Sequence, residues 1–597
     1  MQQKNRVRWM LGASVGLCAA SALAAPGEPL RLYTGERNRE TIFGRVTDEQ
    51  GKAVRAMVEL WYYDISQPIT VEERDGGPRS IPLAEQYQRT LFQTDFTTEK
   101  GWYHVDAVAG DWLVRVHKGP EWSIEEFRVT VRNINGTPEL DGQRHDVKLD
   151  HMYDMRKYGW YSGDVHSHSV FSDGTQNPTD MSIAWRANGV DFAALSDHNQ
   201  NLQHEEFDEL SDDEFLAFSS VEVTTSSPLV AQGKGFGHHI AFDVPGNFVE
   251  RLPGATDPSN PVIFNRYVYN GAADLQRAID ETHAMGGLFH PTHSCWSNDW
   301  PAGTFSSWGE VQGFDSIDVF TGWDVGPHLP TVLASEYGES IFGTAQFNMN
   351  TVCTQIWFEF LNAGNKIAGW ANSDTHDVHS LLTTGAGAPV YWRNTAGNAR
   401  VYVHSGRLAK KPVKRAMKEG RAFVTSGYWG PILLVRADER YEPGDTLRVR
   451  RGAASIDLDM KVLSNRKLKG YDAGIRIIQD GKLAKTLPTH EFEGELTLAA
   501  RTSLPVSKDG WVVVQAFGDW PSMAMTNALY VDVPPYDDGP SGWQVPAGAT
   551  GWFNPFAEVN GDTCTFNVPA QSVPDQTEVT PPIPLPPVNR CQYRIFR

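Results

Sequence analysis

The run from Gly163 to Gly174 reads Gly-Asp-Val-His-Ser-His-Ser-Val-Phe-Ser-Asp-Gly. Side chains of an extended strand repeat every two residues, so His166 and His168 project two imidazoles to the same side. Asp173 follows five residues later, just before Gly174, in a loop able to fold back over them. Two imidazoles and a carboxylate on one side of a chain suit a cation better than an apolar core. Taken alone, the pair has an ordinary structural reading as well, so the rest of the chain must decide.

Further polar clusters follow short apolar segments. Val190 to Leu195 runs into Ser196-Asp197-His198-Asn199, Phe215 to Val221 into Glu222, and Gly237 precedes His238-His239. Gly286 to Phe289 leads into His290-Pro291-Thr292-His293, and Lys366 to Trp370 leads to Asn372-Ser373-Asp374-Thr375-His376. The candidate ligands are therefore His166, His168, Asp173, His198, Glu222, His238 or His239, His290, Asp374 and His376. Imidazole and carboxylate without thiolate suit Zn, Mn or Fe in an open site. The set exceeds what one ion needs, which predicts two or three divalent ions sharing carboxylates. Such ions polarise an ester oxygen and bring the pKa of bound water near neutrality, supplying hydroxide as nucleophile.

The elements that must position these residues alternate between strand and helix from about 158 to 427. With Ser316 to Phe320 they make about seven strands. Thr179 is expected to cap a helix carrying Met181, Ile183, Ala184 and Trp185, and Ala272 to Met285 is amphipathic. Repeated strand–helix units suggest a barrel with its site at the C-terminal ends of the strands. Residues 31–150 and 430–533 instead show short strands separated by polar turns, predicting a β-sandwich on each flank. Residues 534–597 are rich in Pro and Gly.

The formal net charge is -20. Residues 1–25 have a basic front (Lys4, Arg6, Arg8), an apolar middle and Ala22-Leu23-Ala24, and read as a secretory signal. Its removal takes away three positive charges, giving -23 (from -20 less three). So acidic a chain is a poor match to a nucleic-acid polymer. No later segment is long and apolar enough to span a bilayer. Export implies an oxidising compartment, where Cys564 and Cys591 could pair. Cys295 and Cys353 read as buried thiols, or Cys295 as a neighbour of the metal site. Oligomeric state is open.

The ordered motifs Asp-x-His-x-His, Ser-Asp-Gly, Ser-Asp-His-Asn, Glu222, Gly-His-His, His-Pro and Ser-Asp-x-His resemble the polymerase and histidinol phosphatase (PHP) family. More narrowly, they are similar to its exported CehA/McbA-type metallohydrolases, as is Gly420 to Gly427 followed by a sandwich. The resemblance covers about 159 to 427. It implies an α/β fold: a distorted seven-stranded (β/α) barrel, here flanked by N- and C-terminal β-sandwiches resembling, at the N-terminus, a transthyretin or carboxypeptidase-regulatory domain. It also implies three ion positions: His166, His168, Glu222 and Asp374; Glu222, His290 and His238; and Asp173, His198 and His376. His239 is the second choice after His238. Asp197 is expected to orient a ligand or its water from behind. His290 follows Phe289 where the subgroup usually has Asn, and His293 reads as a substitute ligand, a proton donor to the leaving group, or a surface residue. The expected activity is hydrolysis of a small phosphoester. A carboxylic ester or carbamate hydrolase on the same site is the alternative, and a non-catalytic binding protein the third reading. Arg393 and Arg421 are the candidate phosphate-binding cations.

Overall fold

In the computed structural model, the described residues lie within 40–533; the longest segments left out are 81–90, 227–236, 253–266, 294–309, 323–348 and 379–395. The expected signal segment, the Pro-rich tail, Cys295, Cys564, Cys591 and Arg393 lie outside them. The chain is mixed α/β, strand-rich and with few helices. Among the described residues no helix is long and apolar enough to cross a membrane.

The N-terminal region contains β1 (Glu40–Thr47), β2 (Met57–Tyr62), β3 (Leu91–Phe96), β4 (Trp102–Ala107), β5 (Gly110–His117) and β6 (Glu125–Val131). One sheet runs β3-β2-β5-β6, and β1 pairs with β4 in another. Alternate residues such as Val58, Leu60, Val105, Val114 and Val116 meet in one core. Just beyond β5, Lys118 donates from Nζ to the Arg55 carbonyl (2.9 Å) and to the Arg186 carbonyl (2.6 Å), tying this region to the next.

The middle region contains β7 (Trp160–Asp164), α1 (Pro178–Ala187), β8 (Phe192–Leu195), α2 (His204–Asp208), β9 (Leu216–Ser219), β10 (Val221–Ser226), β11 (His238–Phe242), α3 (Ala272–Ala284), β12 (Leu288–Pro291), β13 (Ser316–Thr321), α4 (Met349–Asn362), β14 (Ala368–Asn372), β15 (Arg400–His404), α5 (Lys410–Glu419) and β16 (Ala422–Thr425). Helix α1 is capped two residues earlier than expected. Pro178 occupies its first turn, and the Asn177 side chain, not Thr179, accepts from the Asp180 amide (2.8 Å). The apolar stripe of α3 (Leu275, Ala278, Ile279) faces the core, as its periodicity predicts. Cys353 on α4 is disulfide-bonded rather than a free thiol; its partner lies outside the described residues.

Strands β7, β8 and β9 are parallel, whereas β11 is antiparallel to both β10 and β12, and β13 pairs parallel with β14. Among the described residues these strands form three separate sheets, not one closed seven-stranded ladder. Isolated bridges stitch the seams: Ser167 to Thr375 and His198 to Glu222. Beyond β16 the sheet continues past the boundary expected at 427–430, because β16 pairs with β23 (Met523–Thr526). A three-stranded sheet of β17 (Ile432–Ala437), β18 (Ser455–Leu463) and β21 (Thr497–Pro505) packs against that extension, which includes β19 (Gly474–Gln479), β20 (Lys482–Pro488), β22 (Gly510–Phe517) and β24 (Leu529–Asp532).

Candidate metal centre

The candidate ligands gather at the seams. After β7 the chain stays extended. The Asp374 amide donates to the His166 carbonyl (2.9 Å) and the His168 amide to the Thr375 carbonyl (2.9 Å). Ser167 turns the other way, its hydroxyl donating to the Ala194 carbonyl (2.9 Å), so His166 and His168 share one side. Their Nε2 atoms are 3.0 Å apart. Each lies 3.1 Å from Glu222 Oε2 and 3.2 Å from Asp374 Oδ1. Donors about 2.0–2.1 Å from a tetrahedral zinc stand about 3.3–3.4 Å from one another. The five separations of 3.0–3.2 Å among these atoms come close to that spacing.

Two further groups adjoin. His198 Nδ1 is 3.2 Å from Glu222 Oε2, and His238 Nδ1 is 2.7 Å from Glu222 Oε1. His168, Asp173, His198 and His376 form the outer group, with His376 Nε2 3.3 Å from Asp173 Oδ2. In each group the ligand atoms lie within 4.8 Å of one another. The inner residues are buried, while Asp173 and His376 keep 29% and 28% of their side chains exposed, forming a mouth. Gly174 is needed there: a Cβ on it would sit 2.4 Å from the His168 carbonyl oxygen.

The pairing of β10 with β11 decides between the two adjacent histidines. Glu222 stands opposite Ile240 and Thr224 opposite His238, so His238 shares the Glu222 face. His239 points to the other face and stacks on Phe289 at 4.5 Å.

His290 does not join the cluster. Its Nε2 donates to Asp318 Oδ1 (2.7 Å), its Nδ1 is 2.8 Å from Ser316 Oγ, and its ring stacks on Trp370. With Nε2 donating to Asp318 and the Nδ1 lone pair taken up by the Ser316 hydroxyl, no free nitrogen faces the cluster. Its expected place is taken by His293, whose Nε2 lies 3.0 Å from Glu222 Oε1 and which groups with His166 and Asp374. His293 is buried, which excludes the surface reading. Asp197 accepts from the Ser169 amide (2.8 Å) and from the Ser169 and Ser172 hydroxyls (each 2.7 Å), and Ser172 Oγ is 3.3 Å from His168 Nδ1. It thus lies behind His168, linked to that ring through Ser172. Arg421 pairs with Glu419 (3.1 Å) and Asp445 (3.6 Å) instead of the cluster.

Sequence reasoning overlooked the supports. Asp164, the acid of the Asp-x-His-x-His run, accepts from Trp185 Nε1 (2.9 Å), the Ser373 amide and hydroxyl (2.9 and 2.6 Å) and the Gly397 amide (2.8 Å). Asp318, beneath His293, accepts from the His293 amide and the Thr292 hydroxyl. Its signal was a lone acid in an apolar strand.

Burial pushes the Glu222 carboxyl up, but His198, His166 and His238 outweigh it and hold its pKa well below the ordinary value. Asp374 and Asp173 are likewise lowered against burial, Asp374 foremost by His166 and Asp173 by His376. Burial lowers His168, yet the Asp374 and Glu222 carboxylates raise it well above an ordinary imidazole. Burial drives His198 well below. Backbone strain adds to the picture: Asn199, His293 and Asp374 have φ of 53°, 29° and 50°. Left-handed non-glycine residues cost about 1–3 kcal/mol and concentrate at functional sites.

No protein-family profile and no curated protein sequence matches the chain. Among solved structures it is similar to a two-domain protein from Bacteroides vulgatus containing a predicted PHP-like metal-dependent phosphoesterase (13% identity, 62% of this chain and 94% of that one, TM-score 0.31). It is also similar to a Bifidobacterium adolescentis protein assigned as a metal-dependent phosphoesterase (12%, 39% and 92%, TM-score 0.25). A third similarity is to a Chromobacterium violaceum amidohydrolase (14%, 36% and 87%, TM-score 0.23). At these identities and scores, the likenesses place the chain in no family.

Proposed function

We propose that the chain is an exported hydrolase of small phosphoesters that works with two or three divalent ions, and that its middle region is a distorted PHP-type barrel. The observation that carries this reading is that Glu222 Oε2 and Asp374 Oδ1 each lie 3.1–3.2 Å from both His166 Nε2 and His168 Nε2, which are themselves 3.0 Å apart. The ordered motif resemblance supports the phosphoester. His166, His168, Glu222 and Asp374 would hold one ion; Glu222, His238 and His293 a second; Asp173, His198 and His376 a third. Zn, Mn and Fe all suit this donor set. Bound ions would lower the pKa of water and offset charge on the ester oxygens.

The chain's own groups supply the positioning. Glu222 presents Oε2 to the inner group and Oε1 to His238 and His293, so one carboxylate could serve both groups. Asp197, through Ser172, holds the His168 ring. The substrate enters past Asp173 and His376, where the cluster meets solvent.

The test is to purify the chain, measure bound metal by elemental mass spectrometry, and assay aryl phosphate monoesters, phosphodiesters and naphthyl carbamates side by side. The expected result is phosphoester turnover that His166→Ala abolishes together with metal. Turnover of the carbamate alone would sink the phosphoesterase reading in favour of the carbamate alternative. Lack of metal and of all three activities would favour a binding protein.

A further inference from the structure

Resting on that metal-centre reading, we propose that Asp318 is a positioning residue of the centre, acting on His166 through the Thr292 hydroxyl and on His293 through its backbone amide. Asp318 lies on β13, is fully buried, and belongs to none of the clustered donor groups. Its carboxylate contacts Thr292 Oγ (3.0 Å), the His293 amide (2.5 Å), His290 Nε2 (2.7 Å) and Asn372 Nδ2 (2.5 Å).

An ionised carboxylate only accepts. The Thr292 hydroxyl proton is therefore spent on Asp318, and the oxygen turns its lone pairs to its other neighbour. That neighbour is His166 Nδ1 at 2.8 Å. His166 must donate from Nδ1, which leaves the lone pair on Nε2, the atom that faces His168, Glu222 and Asp374. The direction of every bond in the chain follows from its acceptor-only end. Partners of this kind fix the tautomer and ring orientation of ligating histidines.

The second arm acts on the backbone. The His293 amide donates to Asp318 while its φ is 29°, a conformation few side-chain-bearing residues adopt unaided. Holding it there aims the ring at Glu222 Oε1, 3.0 Å away. A third contact, Asn372, lies two residues before Asp374. One carboxylate outside the donor groups thus reaches the supports of three ligand residues.

Thr292→Val, which keeps the shape and removes the hydroxyl, tests the relay in the full chain, with Thr292→Ser as the conservative rescue. Each protein is stripped with a chelator, checked for folding by circular dichroism, and titrated with Zn2+ against a fluorescent competitor. The relay predicts that Thr292→Val weakens zinc binding about 10–100-fold and that Thr292→Ser restores it. Asp318→Asn should match the valine variant. If Asp318→Asn does not fold, the Thr292 pair decides alone. A purely structural role would lower the unfolding midpoint of stripped Thr292→Val and leave its zinc affinity within twofold of wild type, and that result overturns the proposal while the metal centre stands. Wild-type chain that takes up no metal would overturn both.

Discussion

The exchange of roles between His290 and His293 makes a paired test of the site. His290→Leu keeps an apolar body against Trp370 but removes two hydrogen bonds and a stacked ring whose centroid is 4.7 Å from the indole. The bond to Asp318 is to a charged group and is worth about 1.5–3 kcal/mol, and the Ser316 hydroxyl left behind adds about 1 kcal/mol or more. The stacked pair contributes about 0.5–1.5 kcal/mol. The sum is about 4 kcal/mol. At roughly 2–4 °C per kcal/mol for a region of this size, the midpoint of the metal-stripped protein should fall by about 10 °C. Metal content should stay near wild type, because Asp318 still accepts from Thr292, His293 and Asn372. His293→Asn should do the reverse. Asn tolerates the left-handed backbone, so the stripped midpoint should hold within about 2 °C, while about one ion per chain is lost by elemental analysis. If His290→Leu loses metal with an unchanged stripped midpoint, and His293→Asn keeps its metal, the assignment is wrong.

Lys118 gives a pH signature. Burial, then the neighbouring Arg156 and Arg55 charges, lower its pKa from 10.5 to about 7. Between pH 7 and about 10.4 the unfolded chain therefore holds more protons than the folded one, so stability should rise with pH across that window and be lowest, for this group, below pH 7. The side chain is only part-buried, so about 2 kcal/mol is expected, read as denaturant midpoints of wild type relative to Lys118→Met; parallel curves would refute it. Asp164→Ala removes one acceptor from four donors and should cost about 3 kcal/mol and displace Asp374, lowering metal content; an unchanged thermal midpoint would contradict this. Chelation should lower the midpoint reversibly, and free metal at about 100 times its Kd should restore about 2.7 kcal/mol. No shift on stripping would count against bound ions in the native state.

What could be read in the sequence follows from how local each cause is. The common side of His166 and His168 needs only the two-residue period of an extended chain, and the helical stripe of α3 needs only its own spacing. The choice between His238 and His239 needed the register that sets Glu222 opposite Ile240, which no single strand encodes. His290 and His293 were harder still. Extending β12 through Pro291 makes His290 look like the strand-end ligand, but the turn at His293 is set by Asp318, which lies 25 residues further along the chain. The cap of α1 failed for a simpler reason: Pro178 fits the first helical position, which moves the capping role back to Asn177. The interruption of the sheets was hidden because seams arise from pairing between strands, whereas the apolar segments look alike whether or not their ladders close.

Those seams explain why so many polar atoms can face one point. A continuous ladder would spend its edge positions on backbone pairing; here single bridges at Ser167–Thr375 and His198–Glu222 hold the strand ends while the side chains between them converge. With His166 Nδ1 engaged by Thr292, its Nε2 lone pair meets a second imidazole nitrogen and two carboxylate oxygens at 3.0–3.2 Å. Electron-rich atoms at that spacing repel in a dry interior. A single proton satisfies two of them and leaves the others opposed. A divalent cation would accept lone pairs from several of them at once. The fold maintains this arrangement against the cost of burial, with a left-handed backbone at Asp374 and acid supports at Asp164 and Asp318 behind it. Structural packing alone has no use for lone pairs aimed at a common centre.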